Sequence, residues 1–148
     1  MKKSISLQLD VFKAILNQDR RVAYCLMDDR VAFTMEGYAA FSIPQNQCFI
    51  DLGKVRELKD LGQYFSIADN DRIIQLTKIE ANVRIGRLCK LACDSFNVWV
   101  NRTLFTRYYD GQELYCSSPT SPIKFYGSVS NQVEAILLPI RVNDPDLL

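Results

Sequence analysis

The chain is predicted to adopt an α+β fold in which a βαβββ unit occurs twice, once near each end. In the first half, a run of alternating residues precedes a capped helix, and β-rich runs follow it. Residues 96–142 show that order again, since a strand precedes a capped helix and three strands follow. The 148 residues are 48 % apolar and 24 % charged, which is typical of a globular domain that folds without disulfides or metal.

The first unit is predicted over about residues 5–52. ISLQL at residues 5–9 alternates apolar and polar residues, which favours a short strand. Asp10 then precedes VFKAILNQ, whose apolar residues recur at helical spacing, and aspartate is a good N-cap. A helix is therefore predicted to begin just after Asp10.

Two β-rich runs follow this helix. DDR at residues 28–30 separates RVAYCLM from VAFTMEGYAAFSI, which indicates a hairpin, and Pro44 ends the second run. CFIDL at residues 48–52 is predicted to form one more short strand.

The middle of the chain, residues 53–95, has weaker patterns. In residues 53–66 the apolar spacing fits a short helix, which Gly62 weakens. Two strands are predicted after it, in RIIQLTKIE and NVRIGRLCKLAC, with a bulge near Gly86 in the second.

The second unit, residues 96–142, has clearer signals. SFNVWV predicts a strand, and Asn101 is expected to cap a helix in RTLFTRYY. Asp110-Gly111 predicts a turn. ELYCSS, SPIKFYG and VEAILLPIRV are then predicted to be three strands separated by turns.

The stretch FNVWVNRTLFTRYYDGQELYCSSPTSPIKFYGSVSNQVEAILLPIRV resembles the end of the third domain of the bacterial DNA polymerase sliding clamp. In that family a strand similar to FNV enters a helix, three strands follow, and the chain closes on a sequence like MPMRL. The matching close here is LPIRV at residues 138–142. A clamp domain is itself a βαβββ unit repeated twice, so the resemblance implies a DNA-clamp-like fold with both helices packed on one side of antiparallel sheets.

The resemblance covers residues 96–142 well and residues 5–52 loosely, and the chain departs from the family in two respects. A bacterial clamp protomer has three such domains and the closed ring has six, whereas residues 1–148 have room for one. A ring would therefore require a homo-oligomer. A tail, NDPDLL at residues 143–148, also follows the MPMRL-like close and could cover the neighbouring pocket.

The resemblance also implies a partner pocket at the C-terminal strand. In clamps the final residues help to line a hydrophobic pocket that captures short peptides of replication proteins. The residues at the matching positions are Leu138, Pro139, Ile140 and Arg141. Aliphatic side chains would supply apolar burial, and an arginine would fix a polar end. The alternative is that Leu138 and its neighbours fill the core while Pro139 stops edge pairing.

Contacts with the backbone of duplex DNA are a further implication, because the helices of clamps line the hole through which DNA passes. The candidate residues are Lys13, Arg20, Arg21, Arg102 and Arg107. Such contacts are electrostatic and weaken with salt. The net charge of only +1 gives them little support, and solvated surface charge is the alternative.

QLDVF at residues 8–12 resembles the short peptide by which partners bind bacterial clamps. Because it spans the predicted strand–helix junction, Leu9, Val11 and Phe12 are expected to be buried, and the similarity is attributed to chance.

The composition argues against catalysis and metal binding. The chain has no histidine, which is the commonest general acid and base, and it has no phosphate-binding glycine loop. The five cysteines lack the spacing of a zinc site and are expected to be buried free thiols in a reducing cytosol. No apolar run approaches the roughly 20 residues of a membrane span, and the N-terminus does not resemble a signal peptide.

The chain is therefore predicted to be a cytoplasmic binding protein without a cofactor. The leading hypothesis is a processivity-factor-like domain in DNA replication or repair of a cell, phage or mobile element. It would associate with itself, with DNA or with peptides of replication proteins. The alternative is a protein-interaction module with the same fold that does not bind DNA, and a small enzyme or ligand carrier is a weaker third hypothesis.

Overall fold

Two helices and a ten-stranded sheet make up the fold in the computed structural model, which describes residues 3–142. The helices are α1 (Ser4–Leu16) and α2 (Arg102–Tyr108). The strands, in chain order, are β1 (Ala23–Leu26), β2 (Arg30–Met35), β3 (Ala39–Pro44), β4 (Arg56–Glu57), β5 (Arg72–Val83), β6 (Gly86–Ala92), β7 (Asn97–Asn101), β8 (Glu113–Cys116), β9 (Ile123–Gly127) and β10 (Gln132–Leu137). The predicted α+β class is confirmed.

The sheet is built from meanders that follow one another in space as β4-β1-β2-β3-β10-β9-β8-β5-β6-β7. Strands β1 to β3 form one antiparallel meander and β8 to β10 form another. The two meanders join where β3 pairs antiparallel with β10, which sets Ala135 opposite Phe41 and Leu137 opposite Ala39. Strand β4 pairs in parallel with β1. Each helix therefore precedes a three-stranded meander in the chain.

Both helices pack against one face of this sheet. Leu7 and Val11 of α1 lie in the same buried cluster as Phe105 and Tyr108 of α2. Inward-facing residues of both meanders and of β5 to β7 complete the cluster, among them Phe41 at the centre of the sheet. Burial of these large apolar side chains is the main driving force for the fold.

A smaller cluster covers the opposite face of the sheet. Successive residues of a strand point to opposite sides, so Ala40 and Ile136 face away from the helices. A 3₁₀-helix, Lys59–Tyr64, crosses this side, and its Leu61 and the following Phe65 cover the small side chains of the strands. The centre of the sheet is thus buried on both faces.

Local hydrogen bonds fix the two helices. Asn101 caps α2 as predicted, because its Oδ1 accepts a hydrogen bond from the backbone N–H of Leu104 at 3.0 Å. At the other end of α2, the ammonium group of Lys3 donates to the carbonyl oxygens of Thr106 and Tyr109 at 2.6 and 3.0 Å. The start of α1 is therefore tied to the end of α2.

The predicted strand at residues 5–9 is wrong, because α1 begins at Ser4 and includes them. Asp10 consequently lies inside the helix and does not cap it. The alternation of Ile5, Leu7 and Leu9 fits a strand, but Leu7 and Val11 also lie one helical turn apart, and it is this pair that the core buries. The first unit is thus αβββ within the described residues and lacks its leading strand.

Two further predictions in the first half are corrected. Residues 48–52 form no strand, and the Asp51 carboxylate instead accepts a hydrogen bond from the N–H of Gly53, which favours a turn. Residues 53–66 contain the 3₁₀-helix and the short β4 in place of an α-helix.

The hairpins differ from the prediction in detail. The turn at residues 28–30 is confirmed, but the run after it splits into β2 and β3 at Glu36 and Gly37, whose φ angles are +59° and +75°. The N–H of Tyr38 donates to the carbonyl oxygen of Met35 across these two residues, and a β-turn with this backbone needs positive φ at both central positions. Gly86, with φ of +131°, starts β6 after a tight turn, and the irregular register lies between Leu76 and Glu80 of β5. The tail at residues 143–148 lies outside the described residues.

We expect Tyr108→Phe to stabilise the protein. Tyr108 is fully buried, and its Oη has no hydrogen-bond partner among residues 3–142. Burial raises the pKa of Tyr108 to about 12, so the hydroxyl is neutral at physiological pH. Removing this unsatisfied group while keeping the ring should raise the free energy of unfolding by about 1 kcal/mol, measured by urea denaturation.

The matched control is Tyr24→Phe. The Tyr24 hydroxyl reaches Glu57 at 3.4 Å in a solvent-exposed position, so its loss should change the free energy of unfolding by less than about 0.5 kcal/mol. A loss of stability in Tyr108→Phe that exceeds the control would contradict the expectation.

Candidate functional site

The segment predicted to form the partner pocket, residues 138–141, follows the last strand and is hydrogen-bonded to two other parts of the fold. Strand β10 ends at Leu137. The N–H of Leu138 then donates to the carbonyl oxygen of Tyr38 at 2.9 Å, and the N–H of Ile140 donates to that of Trp99 at 2.8 Å. The four predicted residues therefore do not face a single pocket.

Leu138 lines an apolar groove of about 370 Å³ on the face of the sheet opposite the helices. The turn between β2 and β3 supplies Tyr38, the 3₁₀-helix supplies Leu61 and Tyr64, and the outer side of β10 supplies Ile136. None of the described residues that line this groove is charged. A ligand that enters it therefore meets mainly aliphatic and aromatic surface.

Three side chains of the groove are open to solvent. Tyr38 is 58 % exposed, Tyr64 is 42 % exposed and Leu138 is 41 % exposed, whereas Leu61 and Ile136 are buried beneath them. Tyrosines at such positions combine a large apolar body with a hydroxyl that can bind a polar group. The groove thus has a buried apolar floor beneath a partly exposed rim.

Ile140 and Arg141 line a separate depression of about 370 Å³ beside the edge strand β7, with Trp99 and Pro119 among its other lining residues. Pro139 lines neither of these two depressions. The structure thus brings Leu138 together with residues that the sequence analysis did not select, and it separates Leu138 from Ile140 and Arg141.

Three of the five predicted DNA-contacting residues are held in ion pairs. The Nε and Nη2 atoms of Arg21 donate to the two carboxylate oxygens of Asp19, at 3.0 and 2.9 Å. Arg102 lies 3.5 Å from Glu80 on β5.

Arg107 is not free to contact a phosphate, because it is engaged in ion pairs within the fold. It is partly buried, and its guanidinium donates to Asp10 of α1 and, at 3.2 Å, to Glu36 of the turn between β2 and β3. Arg107 therefore links both helices to a hairpin. The remaining candidates, Lys13 and Arg20, are exposed and form no ion pair within the described part of the chain.

The helix surface that would face DNA also carries apolar side chains. Leu9 and Phe12, which were expected to be buried, are 47 % and 49 % exposed on α1, and the buried residues of the QLDVF segment are Gln8 and Val11. Phosphate contacts require positive or hydrogen-bonding groups. This outer face of α1 offers few of them.

The five cysteines differ in burial. Cys25, Cys89 and Cys116 are buried, Cys48 and Cys93 are half-buried, and all five are free thiols. Burial raises the pKa of the Cys89 and Cys116 thiols, which disfavours the nucleophilic thiolate. No group of three or more metal-ligating side chains occurs among residues 3–142.

No family model matches the chain, and no match is found among the curated proteins or the solved structures compared with it. The resemblance to the sliding clamp therefore stays a prediction. Neither described helix is long and apolar enough to cross a bilayer.

We expect the ion pairs of Arg107 to stabilise the fold. Arg107→Met leaves Asp10 and Glu36 without their partner, and Asp10→Asn removes one of the two carboxylates. Partly exposed pairs contribute up to about 1 kcal/mol each, so Arg107→Met should lower the free energy of unfolding by about 1 kcal/mol.

A double-mutant cycle of Asp10→Asn and Arg107→Met, measured by urea denaturation, isolates the pairwise contribution. Lys13→Met on the exposed side of α1 serves as the control and should have little effect on stability. Strictly additive effects of the two substitutions would contradict the assigned pairing.

Proposed function

We propose that this protein is a non-enzymatic binding domain that captures an apolar peptide segment of a partner protein in the groove beside Leu138. The observation that supports this proposal most is the uncharged groove, in which three half-exposed apolar side chains surround a buried floor. An exposed concave apolar surface is unfavourable in water and is typical of recognition sites.

The size and chemistry of the groove define the ligand class. A volume of about 370 Å³ lies in the range of small-ligand pockets, which is roughly 300–1,000 Å³, and accommodates two or three large side chains. Aromatic residues contribute a large share of binding energy when a partner desolvates them. We expect an extended peptide with aliphatic or aromatic anchors and without charges at the anchoring positions.

We further propose that the fold is a variant of the clamp domain. Two features support this: an αβββ order that occurs twice, and two helices that share one buried cluster on a single face of the sheet. Two features depart from it: the first unit lacks a leading strand, and β5 to β7 add a meander between the units. DNA contact, self-association, a role in replication and a cytoplasmic location stay predictions. DNA contact has the weakest support of these, because three of the five candidate cations are paired.

The groove can be tested by NMR. A blocked synthetic peptide with the sequence QLDVF, which resembles clamp-binding peptides, would be titrated into ¹⁵N-labelled protein. We expect the largest chemical-shift changes at Tyr38, Tyr64 and Leu138. Tyr64→Ser should weaken binding by about tenfold, because an exposed aromatic anchor typically contributes 1–2 kcal/mol to an interface.

The control is Ile85→Ser, which removes an exposed apolar side chain from the turn between β5 and β6. This control should leave the affinity unchanged. Shift changes confined to other surfaces, or equal affinities for the two variants, would argue against the groove as the binding site.

A further inference from the structure

Helix α1 carries a second apolar surface, on the side that faces away from the core. Its exposed residues are Ile5, Leu9, Phe12 and Leu16, with exposures of 68 %, 47 %, 49 % and 65 %. Helices of globular proteins normally present polar residues on this side. The successive spacings of four, three and four residues are those of the a and d positions of a coiled-coil seam. This set of residues is called the α1 stripe below.

A basic depression of about 630 Å³ adjoins the C-terminal end of α1. Arg20, Lys54 and Arg56 line it and are all exposed. The chain reverses after α1 through Gln18, whose φ is +57°, and Arg56 Nε then donates to the carbonyl oxygen of Arg20 at 3.1 Å. This hydrogen bond holds two of the three cationic residues side by side.

The positive charge of the depression is not neutralised by its own residues. Asp19 is the one acidic residue among its described lining residues. Hydrogen bonds from Arg21 occupy both carboxylate oxygens of Asp19 and lower its pKa to about 2. Arg20, Lys54 and Arg56 therefore form a local excess of positive charge in a chain whose net charge is only +1.

The α1 stripe adjoins the basic depression at Ile15. Ile15 lines the depression and lies three residues after Phe12, so the two side chains are neighbours on the helix surface. Leu16, at the end of the stripe, directly follows Ile15. A linear partner that covers the stripe would therefore extend over the cations at one of its ends.

We propose that this surface binds an amphipathic helix of another protein, whose apolar residues recur at heptad spacing and whose carboxylates cluster at one end. The seam spacing favours a helix, and the cations at one end set its direction. Duplex DNA would leave four large apolar side chains uncovered. If a second copy packed its α1 stripe against this one in parallel, the cations of the two copies would face each other. In an antiparallel arrangement, the cations of each copy would face Lys3 of the other. A lipid surface would favour cations along both flanks of the stripe.

The test uses a fluorescein-labelled synthetic peptide of three heptads, with leucine at the a and d positions and glutamate at the other positions of one terminal heptad. Fluorescence anisotropy with the full chain should give a micromolar dissociation constant. Phe12→Gln should weaken binding by about tenfold. The double substitution Arg20→Gln with Lys54→Gln should weaken it by about fivefold at low salt and less at high salt.

Matched controls separate this surface from the rest of the protein. Ile85→Gln and Arg84→Gln lie in the turn between β5 and β6 and should leave the affinity unchanged. Tyr64→Ser in the groove should also leave it unchanged, so failure of this proposal is distinguishable from failure of the proposed function. A peptide with lysines in place of the glutamates should bind more weakly, and this comparison does not depend on the stability of any variant.

Four outcomes would overturn the proposal. The first is no binding of the acidic peptide at millimolar protein, and the second is equal binding of the acidic and basic peptides. The third is a dimer in sedimentation experiments that Phe12→Gln abolishes, which would assign the stripe to a second copy. The fourth is saturable binding of a 20-base-pair duplex, or of vesicles of phosphatidylglycerol and phosphatidylcholine, at concentrations where the acidic peptide does not bind. This binding would have to be lost in the double variant Arg20→Gln with Lys54→Gln.

Discussion

The pairing of β3 with β10 is the constraint on which the rest of the structure depends. It joins the two meanders into one sheet, and it brings α1 and α2, which precede those meanders, onto the same face. Its antiparallel register also creates the groove, because Tyr38 stands just before β3 and Leu138 just after β10. A slip of β10 by one residue against β3 would turn Ile136 toward the helices and remove part of the floor of the groove.

The sequence predicts the second half of the fold well because its signals are local. Asn101 caps a helix whatever lies around it, and Asp110-Gly111 favours a turn within four residues. In the first half, by contrast, residues 5–9 fit a strand period and a helix period at once. The helix forms because it buries Leu7 and Val11 against α2 and the sheet, and this burial depends on residues about a hundred positions away. No local pattern contains that information.

The candidate site was predictable only in part, for the same reason. The resemblance selects Leu138, but the tyrosines and Leu61 that surround it come from a turn and a 3₁₀-helix without a motif. The predicted cations lie on or beside the helices, and the local sequence does not indicate which residue each of their side chains meets. Arg107 meets Asp10 across 97 residues of sequence, so its charge is engaged within the fold.

The long separation between β3 and β10 has a consequence for biosynthesis. Ser42 on β3 donates a hydrogen bond to the carbonyl oxygen of Val133 across 91 residues, so the partner strand of β3 leaves the ribosome long after β3 itself. Until then the nascent chain holds the apolar run AAFSI at an open sheet edge, where it can pair with another chain. Expression of this protein should therefore depend on chaperones and on slow, cool growth of the host, even though the finished sheet buries that edge completely.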